Sequence, residues 1–297
     1  MKKNLRVKIK AIMPAIFAFY IHAADGHINK KTRHDHMNNI VKGDVVKKYE
    51  YPFFAAFIAT YNDKPGHIPG ECGGTVVSDH FIITAAHCLV DYPTLAFDFF
   101  LEKYDESDKG VMLNPIDVVY YKNEEPVYGL FSHDIAMVRV KETIPKQFQN
   151  VTLWDGSSFP QEHGGLGIIP QSFNGVVIGN GETGEGLAKS LLEAKVYFYP
   201  ATACQAKGYE NLKFVPGKEI CAGGMLEQKG AYHGDSGGPL FIKTGKNIIL
   251  LGVVSRGPGM PSVPDDIKPG IYTSIAAYKP WIECIISKDD KTRCSDL

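Results

Sequence analysis

Ser236 stands in the run Gly234-Asp235-Ser236-Gly237-Gly238-Pro239, followed by apolar Leu240-Phe241-Ile242. A hydroxyl attacks a carbonyl only if a base takes its proton and donors hold the oxyanion that forms. Glycines let the backbone bend until its N–H groups face a substrate, because no Cβ restricts φ. The run therefore offers a nucleophile, Ser236, and an oxyanion hole from the amides of Gly234 and Ser236. By itself, such a run is more often a tight turn with a solvated serine. Thr84-Ala85-Ala86-His87-Cys88 supplies a histidine, the usual general base near neutral pH. His133-Asp134-Ile135-Ala136-Met137-Val138-Arg139-Val140 supplies a carboxylate able to accept a hydrogen bond from that histidine and fix its tautomer. Taken singly, His87 reads as a core histidine and Asp134 as a turn residue at a strand start. Taken together they are a base, its orienter and a nucleophile.

Positioning three such groups needs a rigid frame, and the chain has the texture of one. Short β-type runs at 53–61, 75–77, 81–84, 134–140, 176–178, 191–199, 239–242, 248–254 and 271–275 are separated by Gly, Pro, Asn and Asp. This predicts an all-β barrel or sandwich plan. No repeat of 20–50 residues is present. The spacing of Tyr278, Trp281, Ile282 and Ile285 predicts one amphipathic helix over 276–287, with Pro280 in its first turn. A stretch rich in Gly, Ser and Pro at 155–170 divides the body into halves of similar size. Residues 98–110 carry Glu102, Asp105, Glu106 and Asp108. They lack the fixed ligand spacing of a calcium site and read as a solvated acidic loop. His27, His34 and His36 lie in a polar segment and read as solvated, so no metal is expected.

The chain has 297 residues with 30 Gly and 18 Pro, which suits a turn-rich β protein. Residues 1–39 carry a net charge of +6 within a whole-chain charge of −1, leaving −7 for the body. A mildly acidic body argues against a nucleic-acid partner. Residues 1–24 read as a secretory signal, with a basic start, an apolar run from Ala11 to Ile21 and the small pair Ala23-Ala24. A run of about 11 apolar residues is short for a membrane anchor. A secreted protein, or a periplasmic one in a bacterium, is expected, without stable membrane insertion once the signal is removed. Polar residues 25–39 read as a linker or pro-segment. Six cysteines follow, an even number in an exported chain, which suggests three disulfides among 15 possible connectivities.

His87, Asp134 and Ser236 occur in the order and settings of the trypsin/chymotrypsin family, and the chain resembles that family from Ile40 to about Ile286. TAAHC, DIAMVRV and GDSGGP resemble its three signature blocks, as ICAGG, VVSRG and KPGIYTSI resemble lesser ones. The resemblance implies two six-stranded antiparallel β-barrels with a C-terminal helix. The first barrel would take about 40–155, the second about 156–275, and the helix and tail 276–297. It implies that Ser236 attacks the scissile carbonyl, His87 is the base and Asp134 its orienter, as in the template triad. Gly234 and Ser236 would form the oxyanion hole. It pairs Cys72 with Cys88 and Cys204 with Cys221. Cys284 and Cys294 match no standard pair and are expected to bridge each other, a free thiol or an intermolecular bridge being the alternatives. Ile40-Val41-Lys42-Gly43 resembles the family's mature N-terminus, whose new ammonium pairs with the carboxylate before the serine, here Asp235. Residues 25–39 would then hold a zymogen until an activating protease cuts after Asn39. Protein or peptide substrates, a monomer and no cofactor are expected.

The chain departs from the pattern at the substrate rim. Tyr232 and Met260 stand where the family has a disulfide, Arg256 replaces the aromatic of its S-W-G string, and 258–269 reads as an enlarged loop. The G-W-G string reads Gly179-Asn180-Gly181. The pocket-base position is Gly230, and the wall positions are Gly257 and Gly270. Without a carboxylate at the base, selection for Arg or Lys is not expected, and a large hydrophobic residue before the scissile bond is. A catalytically silent homologue that binds a partner is the alternative. An α/β-hydrolase is excluded, because its histidine follows its serine in the chain. Asn150-Val151-Thr152 is a glycosylation sequon.

Overall fold

The computed structural model describes residues 43–59, 71–89, 97–123, 133–157, 174–183, 186–206, 211–224, 230–257, 269–288 and 294. The expected signal, the pro-segment, Ile40, Met260 and 258–268 of the enlarged loop lie outside them. Seventeen strands and one α-helix are described. After β1 (Asp44–Val45) come β2 (Phe54–Ala59), β3 (Glu71–Val76), β4 (Phe81–Thr84), β5 (Phe97–Leu101), β6 (Val111–Leu113), β7 (Pro115–Tyr120) and β8 (Ala136–Val140). The last seven form one sheet in the order β6-β5-β2-β3-β4-β8-β7. β6 and β7 are its two ends, yet Asn114 alone separates them in the chain. The sheet must therefore roll until its edges meet along one broken strand, giving six strands with one split. The break is pinned: Asn114 N–H and its side-chain amide donate to Glu142 at 2.8 and 2.5 Å, and its carbonyl accepts from Lys141 N–H.

The second half contributes β9 (Val151–Leu153), β10 (Asn174–Gly179), the short pair β11 (Glu182–Thr183) and β12 (Gly186–Leu187), β13 (Leu192–Tyr199), β14 (Glu219–Gly223), β15 (Pro239–Thr244), β16 (Asn247–Arg256) and β17 (Gly270–Ser274). The order β13-β10-β15-β16-β17-β14 closes on itself, because β14 also pairs with β13. In β13, Leu192, Ala194, Val196 and Phe198 are buried while Glu193, Lys195, Tyr197 and Tyr199 point outward, the period-two signature of a barrel wall. Two segments of the first half add to this sheet: β1 pairs with β13, and β9 runs parallel to Ile248–Leu250 of β16.

Two expectations change. Phe97–Leu101 is a strand rather than the start of an acidic loop, because Phe97, Phe99 and Leu101 all bury on one face. That alternation outweighs the flanking charges. The turn proper begins at Glu102 (φ +56°). There Lys48 Nζ lies 3.2 Å from Asp105 and 2.6 Å from Asp108, and Asp108 also accepts the amides of Tyr104 and Asp105. The helix α1 spans Ile275–Lys288, so Pro280 falls beyond the first turn, where it cannot donate to the Ala276 carbonyl. The helix survives because Tyr278, Trp281, Ile282, Cys284 and Ile285 are buried in the same apolar cluster as the first barrel's core. Disulfides join Cys72–Cys88, Cys204–Cys221 and Cys284–Cys294.

Candidate active site

His87 is presented by one 3₁₀ turn, Ala86–Cys88, directly after β4. Ala85 and Ala86 are fully buried, so larger side chains there would push the turn off the barrel. The neighbouring Cys88 is tied to Cys72 on β3. Asp134 precedes β8 and follows His133, which holds a strained φ of +61°. The Asp134 carboxylate accepts His87 N–H at 2.9 Å on Oδ1 and faces His87 Nδ1 at 2.8 Å through Oδ2. Two hydroxyls from the second barrel reach across. Ser255 Oγ on β16 donates to Asp134 Oδ2 at 2.5 Å, and Thr273 Oγ1 on β17 donates to the Asp134 carbonyl at 2.8 Å. Asp134 is 1% exposed, so each of these donors replaces a lost water.

The charges follow from these contacts. Burial opposes ionisation of Asp134, but the His87 charge and the donors from His87 and Ser255 outweigh it and hold the carboxyl below its usual range. Burial likewise disfavours the His87 cation. The Asp134 charge and hydrogen bond overcome that and the weaker opposing field of Arg256, so His87 titrates above its ordinary value. The pair is thus an imidazole on a carboxylate, with the proton fixed on Nδ1.

Ser236 sits half-buried on the loop before β15. That loop is built around the Asp235 carboxylate, which is 1% exposed and accepts Gly181 N–H at 2.9 Å and Tyr232 N–H at 2.8 Å. Gly234 and Gly237 take φ of +92° and +77°. A side chain at Gly237 would collide with Thr84 Oγ1 at 2.2 Å and Gly73 O at 2.4 Å. The loop's amides divide in two. Those of Asp235, Gly237 and Gly238 are spent on Tyr232 O, Val254 O and Asp235 O. Those of Gly234 and Ser236 donate to no other described residue. The Ser236 carbonyl accepts Gly73 N–H at 2.7 Å. Gly73 adjoins Cys72, so β3 links the serine loop to the His87 turn through the Cys72–Cys88 bridge. No hydrogen bond joins Ser236 Oγ to His87 Nε2 among the described residues.

The chain fits the protein-family model described as Trypsin over residues 40–282. It belongs to the trypsin family. Three relatives show the range of likeness. Melanization protease 1 of Drosophila melanogaster is 28% identical, over 83% of this chain and 65% of its own length. Coagulation factor XII of Sus scrofa is 30% identical, over 83% of the chain and 39% of its own length. Chymotrypsin-like elastase family member 1 of Homo sapiens is 31% identical, over 73% and 82%. The chain thus spans less than two thirds of the length of the first two. The fold is the family's two-barrel, chymotrypsin-like plan, with the second barrel closed and the first rolled around its split strand.

Within this trypsin-family domain the three glycines expected at the pocket have different surroundings. A Cβ at Gly230 would meet nothing within 4 Å. One at Gly257 would lie 3.8 Å from the Gly270 Cα, and one at Gly270 would lie 3.6 Å from the Tyr272 hydroxyl. Arg256 does not stand as a free wall. Its side chain is 5% exposed and forms a forked ion pair with Glu219, Nη1 to Oε1 at 2.7 Å and Nη2 to Oε2 at 3.0 Å. Sequence reading missed Ser255, Thr273 and Glu219 as partners of the site. The first two sit inside the strings VVSRG and KPGIYTSI, so those strings held the available signal. Nothing local marked Glu219.

Proposed function

We propose that the protein is an exported serine endopeptidase that cleaves peptide bonds through an acyl-enzyme on Ser236. In this reading His87 takes the Ser236 proton during attack and later returns it to the leaving amine. Asp134 keeps the imidazole in the required tautomer and stabilises its cation. The unspent amides of Gly234 and Ser236 stabilise the oxyanion, each such donor being worth about 10²–10³ in rate. The observation that carries the reading is the His87–Asp134 pair, half-buried at the histidine and buried at the carboxylate, tied through β3 to a serine loop with two unspent amides.

Residues 1–24 serve as signal and 25–39 as pro-segment. Cutting before Ile40 frees an ammonium to pair with Asp235, whose carboxylate is already anchored by Gly181 and Tyr232. Open space at Gly230 and the lack of a carboxylate there favour a large hydrophobic residue before the scissile bond. Protein substrates and an activating protease are the partners; the active form is a monomer. The buried Arg256, foreign to the family's substrate wall, favours the second reading of a silent binding homologue.

A fluorophosphonate probe decides between the two. Labelling of the protein processed at Asn39, lost in Ser236→Ala and absent before processing, is the expected result. A folded, processed protein that takes no label would establish the silent homologue. Dominant Arg or Lys before the cut in a peptide library would overturn the pocket assignment.

A further inference from the structure

Arg256 reaches the catalytic carboxylate through one intervening hydroxyl. Its Nη1 donates to Ser255 Oγ at 3.1 Å, and Ser255 Oγ donates to Asp134 Oδ2 at 2.5 Å. A guanidinium has donors and no acceptor. Ser255 Oγ must therefore accept from Arg256, and its own proton is left for Asp134. The rest of the guanidinium is fully committed. Nε donates to Leu212 O at 2.8 Å, Nη2 to Lys213 O at 3.3 Å, and the fork to Glu219 fixes its plane. Glu219 is itself held by Val215 N–H at 2.7 Å. A buried, forked pair of this kind has one geometry, whereas a lone serine hydroxyl rotates among several.

We propose that the Arg256–Glu219 pair is a positioning device for the triad, locking the Ser255 hydroxyl onto Asp134 and so orienting His87. The proposal rests on the protease reading. It also explains how the domain can lack an aromatic at this position: the rim residue has been turned inward, with its cation neutralised beside the site. The charged groups that act on His87 are Asp134 ahead of β8 and Arg256 on β16, whose counter-ion is Glu219 on β14. Arg256 opposes the His87 cation.

The test uses the chain processed at Asn39, with kcat and KM on a peptide substrate measured separately against pH. Arg256→Met with Glu219→Met removes the pair without stranding a buried charge. It should lower kcat about tenfold with little change in KM, the worth of a hydrogen bond onto a charged group. Its acid limb should move to higher pH. Glu219→Gln leaves the cation less neutralised, so its limb should move to lower pH. In a Ser255→Ala background, the loss on removing the pair should vanish, because the path through Ser255 is already cut. If the double variant does not fold, Arg256→Lys replaces it in the same cycle, keeping the charge while losing the fork. An equal loss with and without Ser255, or unmoved acid limbs, overturns the proposal. An inactive wild type instead sinks the protease reading, and this proposal with it.

Discussion

At the scale of single residues, the balance at His87 predicts a pH dependence of definite sign. The proposed mechanism needs the neutral imidazole, and Asp134 raises the pH at which the cation is lost. The acid limb of fluorophosphonate labelling should therefore lie above 6.5, the ordinary histidine value. Asp134→Asn would present an N–H to a nitrogen that already carries one. It should slow labelling of Ser236 about 10⁴-fold, the loss known for a Ser-His-Asp triad, while leaving the fold intact. Glycines give a second residue-scale contrast. A methyl at Gly179 would lie 2.1 Å from the Asp235 carboxylate oxygen, whereas one at Gly230 meets nothing within 4 Å. Gly179→Ala should cost about 1–3 kcal/mol in thermal denaturation, the range for overpacking a dense interior. Gly230→Ala should leave the melting temperature unchanged and alter which peptides are cut.

Among the elements, the helix α1 is held by burial rather than by propensity. Pro280 interrupts its hydrogen bonding, yet Trp281 and Ile282 are at most 2% exposed. Its far end is stapled by Cys284–Cys294. Replacing both cysteines with serine should lower stability by about 2–3 kcal/mol in urea unfolding, in line with closing a short loop. The turn after β5 is held differently, by Lys48 lying between Asp105 and Asp108. Hydrogen bonds from Ser107, then Lys48, draw Asp105 down to about 2. Its contribution is therefore present above the usual carboxylate range and is lost as pH falls toward that value. These groups are exposed, so Lys48→Met should lower the melting temperature slightly in dilute buffer and not at all in about 1 M salt.

For the whole molecule, the decisive feature is that the candidate site draws on both barrels. His87 and Asp134 belong to the first, Ser236 to the second, and the Asp134 carboxylate and carbonyl are capped by Ser255 and Thr273 from the second. Strands β1 and β9 bind the halves further by pairing into the second sheet. Thr273→Val is nearly isosteric and removes one donor across this junction. It should cost about 1–3 kcal/mol, the penalty of an unsatisfied buried carbonyl, visible in urea unfolding. It should also slow labelling of Ser236, because the carboxylate that orients His87 loses part of its frame.

Short-range pattern was enough for much of this protein. The strings around His87, Asp134 and Ser236, the glycine-rich serine loop, the β texture and the apolar face of α1 could be read locally, because each depends on neighbours two to four residues away. Residues 98–101 were misread because charge counts hid the alternation of Phe97, Phe99 and Leu101. What tertiary structure alone decided were contacts between residues distant in the chain. Ser255 lies 121 positions from Asp134, Thr273 lies 139 away, and Arg256 lies 37 from Glu219. An arginine in place of the S-W-G aromatic reads from sequence as a change in the substrate rim. Only folding, by placing Glu219 within reach of the guanidinium and Ser255 between it and Asp134, turns that charge inward.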